Sequence, residues 1–172
     1  GDKSLSKRDF SRVTIPLEKF GVKFSYKIKN KLPLIILGAQ SAKGIKYLEN
    51  KGSAQCKSSV MLAALNASGT TSIKAKKSRN HTELLFKYLK IPIKIRKAKK
   101  FDFIDIKKPK KINAFNYQIP GDISSSAFFM VLTTLADDSK LLIKNVNINP
   151  SRVGVITILK KMGAKITLKN KK

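Results

Sequence analysis

The sequence predicts an α/β fold built from one unit that recurs along the chain, longer than a solenoid repeat and incomplete at both ends of this chain. Three observations carry that prediction. Stretches of alternating apolar residues, the mark of strands, take turns along the chain with stretches of helical spacing. Helix starts recur: Gly52-Ser53 returns as Gly121-Asp122, Ser78-Arg79 returns as Ser151-Arg152, and Lys7-Arg8 heads a helix at nearly the same interval ahead of Ser78-Arg79. A closing phrase also recurs, as Phe20-Gly21-Val22-Lys23-Phe24, Ile91-Pro92-Ile93-Lys94-Ile95 and Met162-Gly163-Ala164-Lys165-Ile166. Each unit reads strand, helix, strand, helix, strand, strand (βαβαββ). The chain holds the end of one unit, a whole middle unit and most of a third. We therefore expect it to be part of a longer chain.

Taken in order, Ser4 to Gly21 reads as one helix, capped by Ser6, with Val13, Leu17 and Phe20 as its apolar stripe and Pro16 either as a kink or as the distorted start of a shorter helix. Val22 to Ile28 alternates as a strand, Lys31-Leu32-Pro33 is a turn, and Leu34 to Leu37 is a second strand. An extended stretch near Ile45 to Leu48 precedes a helix from Ala54 to Ala67, a strand from Thr71 to Ala75 and a helix from Asn80 to Lys90. Ile91 to Ile95 and Phe101 to Ile106 pair as a hairpin. Lys107-Lys108-Pro109-Lys110-Lys111 is a basic connection that reads as a solvated turn, with a nucleic-acid patch as the alternative. Ala114 to Ile119 is extended up to Pro120-Gly121. Then come a helix from Ser124 to Ala136, a strand from Lys140 to Val146, a helix from Arg152 to Met162, stopped by Gly163, and a strand from Ala164 to Leu168.

Composition limits the function. The 172 residues carry a net charge of +27, which draws in nucleic acid, anionic lipid or phosphorylated small molecules alike. Lys supplies nearly all of it and is dispersed along the chain, as a bias toward Lys, Ile and Asn codons would leave it. Lys is also the less specific phosphate reader. A nucleic-acid-binding protein would cluster Arg with stacking aromatics, and this chain does not. The single cysteine, Cys56, excludes a disulfide framework and a thiolate metal cluster, and it reads as a packing residue. The apolar runs are too short to span a bilayer and no signal peptide is visible, so we expect a cytoplasmic protein.

Residues 52–82 carry the chemistry. Gly52-Ser53-Ala54-Gln55 and Ser78-Arg79-Asn80 each open a helix with hydroxyl and amide side chains. Helix N-termini present unpaired N–H groups and partial positive charge. With Lys57 and Arg79 close by, the stretch reads as half of a site for a phosphorylated metabolite. Ordinary capping by Ser53 and Ser78 is the alternative. There is no paired-carboxylate motif, metal-ligand spacing or Walker loop. His81, alone at a helix start, reads as a capping or packing residue, and Asp122 as an N-cap. Ser124-Ser125-Ser126 serves either phosphate or tight packing.

Gly52-Ser53-Ala54-Gln55-Cys56-Lys57-Ser58, Leu65-Asn66-Ala67-Ser68-Gly69-Thr70-Thr71 and Ser78-Arg79-Asn80-His81-Thr82-Glu83 resemble the 5-enolpyruvylshikimate-3-phosphate (EPSP) synthase family, also called 3-phosphoshikimate 1-carboxyvinyltransferase. Gly1-Asp2-Lys3-Ser4-Leu5-Ser6-Lys7-Arg8, Pro120-Gly121-Asp122-Ile123-Ser124-Ser125-Ser126-Ala127-Phe128 and Asn149-Pro150-Ser151-Arg152-Val153-Gly154 are similar to further motifs of that family. They fall in family order across the chain, which would cover about two fifths of a member. The resemblance implies the enolpyruvyl transferase fold, an inside-out α/β barrel of βαβαββ units. Residues 1–118 would belong to the first-substrate-binding globular domain and 119–172 would begin the second, with the crossing near Tyr117–Gly121.

The activity implied is transfer of the enolpyruvyl group of phosphoenolpyruvate to the 5-hydroxyl of shikimate-3-phosphate, releasing phosphate, with no metal or organic cofactor. The resemblance assigns Ser53, Ala54, Gln55 and Arg79 to shikimate-3-phosphate, with Ser78 assisting. It assigns Arg8 and Gln55 to phosphoenolpyruvate. Some members carry a second serine where Ala54 stands, so Ala54 would act through its backbone. The family's proton-moving carboxylate and Lys-Glu pair map beyond Lys172 and further substrate contacts map before Gly1, so no catalytic residue is expected in this chain and no turnover from it alone. Besides the two small-molecule substrates, no nucleic-acid or membrane partner is expected, and the full-length enzyme should be a monomer. The nearest alternative is UDP-N-acetylglucosamine enolpyruvyl transferase, built from the same units. The alternative of another class is the basic nucleic-acid-binding protein.

Overall fold

The computed structural model describes residues 2–169 and divides the chain into two compact units, with the boundary between Asn113 and Ala114. The first contains α1 (Lys3–Ser6), α2 (Ser11–Glu18), β1 (Lys23–Tyr26), β2 (Leu34–Leu37), β3 (Lys46–Glu49), α3 (Ala54–Ala64), β4 (Thr70–Lys76), α4 (His81–Tyr88), β5 (Ile93–Lys97) and β6 (Phe101–Lys107). The second contains α5 (Ile123–Leu135) and α6 (Gly154–Lys161).

From β3 to β6 the order is the predicted strand, helix, strand, helix, strand, strand. The four strands form one sheet in the order β3-β4-β6-β5, with β3 parallel to β4 and the other pairs antiparallel. The parallel pair needs a crossover, which α3 supplies. The hairpin β5–β6 is the predicted one. Alternation sorts the sheet into two faces. Thr71, Ile73 and Ala75 of β4 and Ile104 and Ile106 of β6 point inward and are almost fully buried. They meet Val60, Met61 and Ala64 from α3, Phe86 from α4, and Phe20 just beyond α2. On the other face Lys74 and Arg96 lie over the Phe103 ring at 5.9 and 4.0 Å, and Lys74 lies over Phe101 at 4.8 Å. Several of the lysines and arginines behind the high charge therefore sit on a solvated sheet face.

Ahead of β3, residues 42–45 already run beside 68–72. Ser68 N donates to Ala42 O at 2.9 Å, Gly44 N to Ser68 O at 2.7 Å, and Ser72 N to Ile45 O at 2.8 Å. The two backbones approach so closely at Gly44 that only a residue without Cβ fits there.

Three expectations are corrected. The single helix from Ser4 to Gly21 is two helices. Asp2, not Ser6, caps α1 by accepting from Leu5 N at 2.7 Å. The Asp9 carboxylate accepts from Ser11 N at 2.7 Å, and Phe10 N donates to Asn30 O at 2.8 Å, so local side-chain and loop bonds replace helical ones at the break. The hydroxyl and amide of Ser11 hold the Asp9 carboxyl below the usual carboxylate range. Pro16 is buried within α2 and does not end it.

The second correction concerns the repeat. The closing phrases align with a shift of two positions in the middle unit. Ile91 N donates to Phe86 O at 2.9 Å and Ala164 N to Leu159 O at 3.0 Å, the same helix-ending bond in each case. Lys90 and Gly163 therefore occupy equivalent left-handed positions, with φ of 55° and 98°. Their spacing matches that of Arg79 and Arg152, so this half of the unit keeps one register between the second and third copies.

Third, Lys140–Val146 and Ala164–Leu168 form no strands. A strand exists through its ladder, and in the second unit the described residues offer only one isolated bridge, Gly121 to Val146. There α5 packs on α6 but leaves Phe128, Leu132 and Leu135 at 80%, 65% and 79% exposure.

Tyr47 of β3 packs against the edge of the first unit's core, and desolvation there, aided by neighbouring Cys56 and Glu49, pushes its phenol up to about 12. Its folded-state value lies above the unfolded one near 10. Its contribution to stability is therefore complete below pH 10 and is lost as pH rises through about 12. Absorbance titration should show a late phenolate transition that Tyr47→Phe removes. Persistence of that transition in the variant would exclude the assignment. Among the described residues, no helix is long and apolar enough to cross a membrane.

Candidate functional site

The residues singled out in 52–82 come from two helix starts on the same side of the four-stranded sheet. At the first, Gly52 takes φ of 73°, and its N–H and that of Lys51 are tied to the buried Glu49 carboxylate at 2.8 and 3.0 Å. That turn delivers Ser53 as the N-cap of α3, its Oγ accepting from Cys56 N at 3.3 Å. Ala54 and Gln55 are the first two residues of the helix. Ser53 and Ala54 are half-buried, and the Gln55 side chain is exposed.

At the second start, β4 ends at Lys76 and the chain turns through Ser78 and Arg79 into α4. Asn80 occupies the N-cap position without a side-chain cap, so Ser78 does not play the capping role that the sequence allowed it. Its Oγ is instead buried and finds no hydrogen-bond partner among the described residues. Arg79 is exposed.

Lys57 joins the two starts. It lies one turn along α3 from Ser53 and is only 1% exposed. Its Nζ donates to the backbone carbonyl of Arg79 at 2.8 Å and pairs with Glu83 Oε1 at 2.5 Å. One residue further, Ser58 Oγ and Thr82 Oγ1 share a hydrogen bond of 2.7 Å. Two side chains of α3 thus hold Arg79, Thr82 and Glu83 in place. Glu83, in the first turn of α4, also complements that helix's positive end.

The Arg79 backbone is therefore tied to α3 one turn beyond Ser53, Ala54 and Gln55. Arg8 stands apart, exposed in the turn between α1 and α2, its backbone N donating to Leu5 O at 3.1 Å. α2 packs on α3, which places the Arg8 segment in the same unit. Among the described residues, no hydrogen bond or ion pair joins its side chain to the other four.

Lys57 differs from its sequence reading as a cation close to a phosphate site, since its ammonium is buried and already paired with Glu83 and the Arg79 carbonyl. Glu83, Ser58 and Thr82 lie within the motifs quoted above, but the sequence assigns them no individual role. The available signal was a lysine inside the buried stripe Cys56, Val60, Met61, Ala64, with an acid in the first turn of the next helix.

The second unit repeats part of this plan. Asp122 caps α5 by accepting from Ser124 N at 3.0 Å, which holds its carboxyl below the usual range. Arg152, the counterpart of Arg79, bonds Ser124 Oγ through Nη2, 3.6 Å from Asp122 Oδ1.

Arrangements of this kind favour anions: backbone donors at helix starts, exposed guanidinium and amide groups, and a buried hydroxyl still lacking a partner. Comparison with known proteins bears on which anion. A family model described as EPSP synthase (3-phosphoshikimate 1-carboxyvinyltransferase) matches residues 1–172. The chain is similar to proteins named 3-phosphoshikimate 1-carboxyvinyltransferase from Ruthia magnifica, 45% identical over 100% of this chain and 39% of that protein, and from Endomicrobium trichonymphae, 42% identical over 99% and 39%. The Bacillus subtilis protein of the same name is 40% identical over 98% and 39%. Among solved structures, EPSP synthase from Acinetobacter baumannii superposes with a TM-score of 0.80 at 38% identity, over 99% of this chain and 38% of that one. The chain thus spans about two fifths of the length of these relatives.

Proposed function

The chain belongs to the EPSP synthase family, and from that membership we propose that it supplies part of the substrate site of an enzyme joining phosphoenolpyruvate to shikimate-3-phosphate. In the reaction the 5-hydroxyl oxygen adds to C2 of phosphoenolpyruvate while the methylene carbon gains a proton. The adduct then loses phosphate and a methyl proton, restoring the enol double bond. The part of this chain is to bind and orient. Residues 1–118 belong to the first-substrate-binding domain, and 119–172 begin the second. Ser53, the Ala54 backbone, Gln55 and Arg79 hold shikimate-3-phosphate, with the Ser78 hydroxyl completing the set. Arg8 and Gln55 hold phosphoenolpyruvate. The enzyme works as a monomer in the cytoplasm.

The observation that carries this reading is the docking of the Ser78–Arg79 turn onto the first turns of α3 by Lys57 and Ser58. It leaves a buried, unpartnered Ser78 hydroxyl beside an exposed guanidinium. A phosphate ester would give that hydroxyl an acceptor and the guanidinium a charge partner.

Calorimetric titration tests the reading. Shikimate-3-phosphate should bind the chain, UDP-N-acetylglucosamine should not, and Arg79→Ala should weaken binding about ten- to hundredfold, the loss of one charge-assisted contact of about 1.5–3 kcal/mol. Preference for the UDP-sugar would move the chain to the sister enzyme. Tight, salt-sensitive RNA binding with no shikimate-3-phosphate effect would favour the nucleic-acid alternative.

A further inference from the structure

We propose that Lys57 is a positioning residue: with Glu83 it fixes the Ser78–Arg79 turn against α3 and so sets the geometry in which the two helix starts bind an anion. The claim that an anion is bound there rests on the function proposed above. The claim that Lys57 fixes the turn does not.

Packing alone does not account for this pair. Lys57 and Glu83 side chains are 1% and 5% exposed. A buried ion pair gives back in Coulomb attraction roughly what its desolvation costs, and apolar residues of similar volume often serve stability as well or better. Satisfaction is also incomplete: Glu83 Oε2 is buried and has no hydrogen-bond partner among the described residues. What an apolar pair would lack is the directed bond from Nζ to the Arg79 carbonyl, 22 residues away in sequence. That bond acts on the backbone of the residue whose guanidinium is offered to the ligand, immediately after the residue with the unpartnered hydroxyl. A hydrogen bond has a preferred length and direction, and apolar contact does not. The pair therefore sets the position of the turn, and Ser58 with Thr82 sets that of the next helical turn.

The test uses the double variant Lys57→Met/Glu83→Leu, which removes both charges and keeps the volume. Its melting temperature should match or exceed that of the parent. Without any ligand, the Leu84 amide, which donates to Asn80 O at 3.1 Å, should exchange at least tenfold faster while the amides of α3 keep their protection. Shikimate-3-phosphate should bind about tenfold more weakly, equivalent to 1.4 kcal/mol. Unchanged exchange, or unchanged affinity despite faster exchange, would overturn the proposal. Should the double variant fail to fold, Thr82→Val provides the second measurement. It removes the neighbouring tether and leaves Lys57 in place, so exchange at Leu84 should stay slow; acceleration equal to global unfolding would overturn the proposal. Should the parent not bind shikimate-3-phosphate, the functional reading fails, and the ligand-free exchange still decides whether Lys57 holds the turn.

Discussion

Lys57→Ala should destabilise the first unit by about 3–5 kcal/mol, the usual cost of removing one partner from a buried ion pair. The substitution leaves the Glu83 side chain, 5% exposed, without its cation, and the Arg79 carbonyl loses its donor. It also opens a void among Cys56, Val60 and Met61, all 3% exposed or less. Denaturant unfolding monitored by circular dichroism reads the loss directly. The expected contrast with the double variant is large, since the apolar pair keeps the volume and strands no charge. A loss below about 1 kcal/mol, the scale of an exposed pair, would mean that water reaches Glu83, and the burial argument would fail.

Gly44→Ala should be nearly as damaging, at about 3 kcal/mol or more, in the upper range for forced overpacking. A Cβ at residue 44 would lie 2.3 Å from the Thr70 carbonyl oxygen and 2.5 Å from its carbon. Both are backbone atoms of β4, so no side chain can swing away to make room. Relief requires separating 42–45 from 68–72 and breaking the bonds that align β3 with β4. A drop in melting temperature with loss of exchange protection at Ser68 and Ser72 is the expected outcome. Parent-like values would show that the two backbones are further apart than described. Gly69→Ala is the control. Its φ of 76° also disfavours a side chain, but a Cβ there meets nothing within 4 Å, so its cost is backbone strain alone.

Much of this architecture can be read from residues alone. The order from β3 to β6 follows from alternation in Thr70–Lys76 and Phe101–Lys107, set against the helical stripe of Cys56, Val60 and Ala64. The internal repeat is legible too, because Ser-Arg recurs at successive second-helix starts. Its exact register in the middle unit is not, because Lys90 does in the left-handed position what Gly163 does in its counterpart, and a lysine gives no sign of that conformation. The break before Ser11 is hidden because Phe10 N bonds to Asn30, a partner supplied by the tertiary fold. The strand-like stretches of the second unit have the right pattern, but pattern does not supply a neighbouring strand. At the site, the helix starts and their hydroxyls are visible in sequence. The direction of the Lys57 ammonium is not, since its partners Arg79 and Glu83 lie beyond the whole of β4.

The sheet order implies a sequence of assembly. β5 and β6 are joined by a short turn and close as a hairpin on the microsecond scale, whereas β3–β4 and β4–β6 each close a loop containing a whole helix. Such distant pairings spend chain entropy before any ladder bond repays it. The arrival of β4 between β3 and the finished hairpin is thus the slow event, and the turn leading from β4 into α4 is organised only after it. The docking of the Ser78–Arg79 turn onto α3 is therefore expected among the last features of this unit to form.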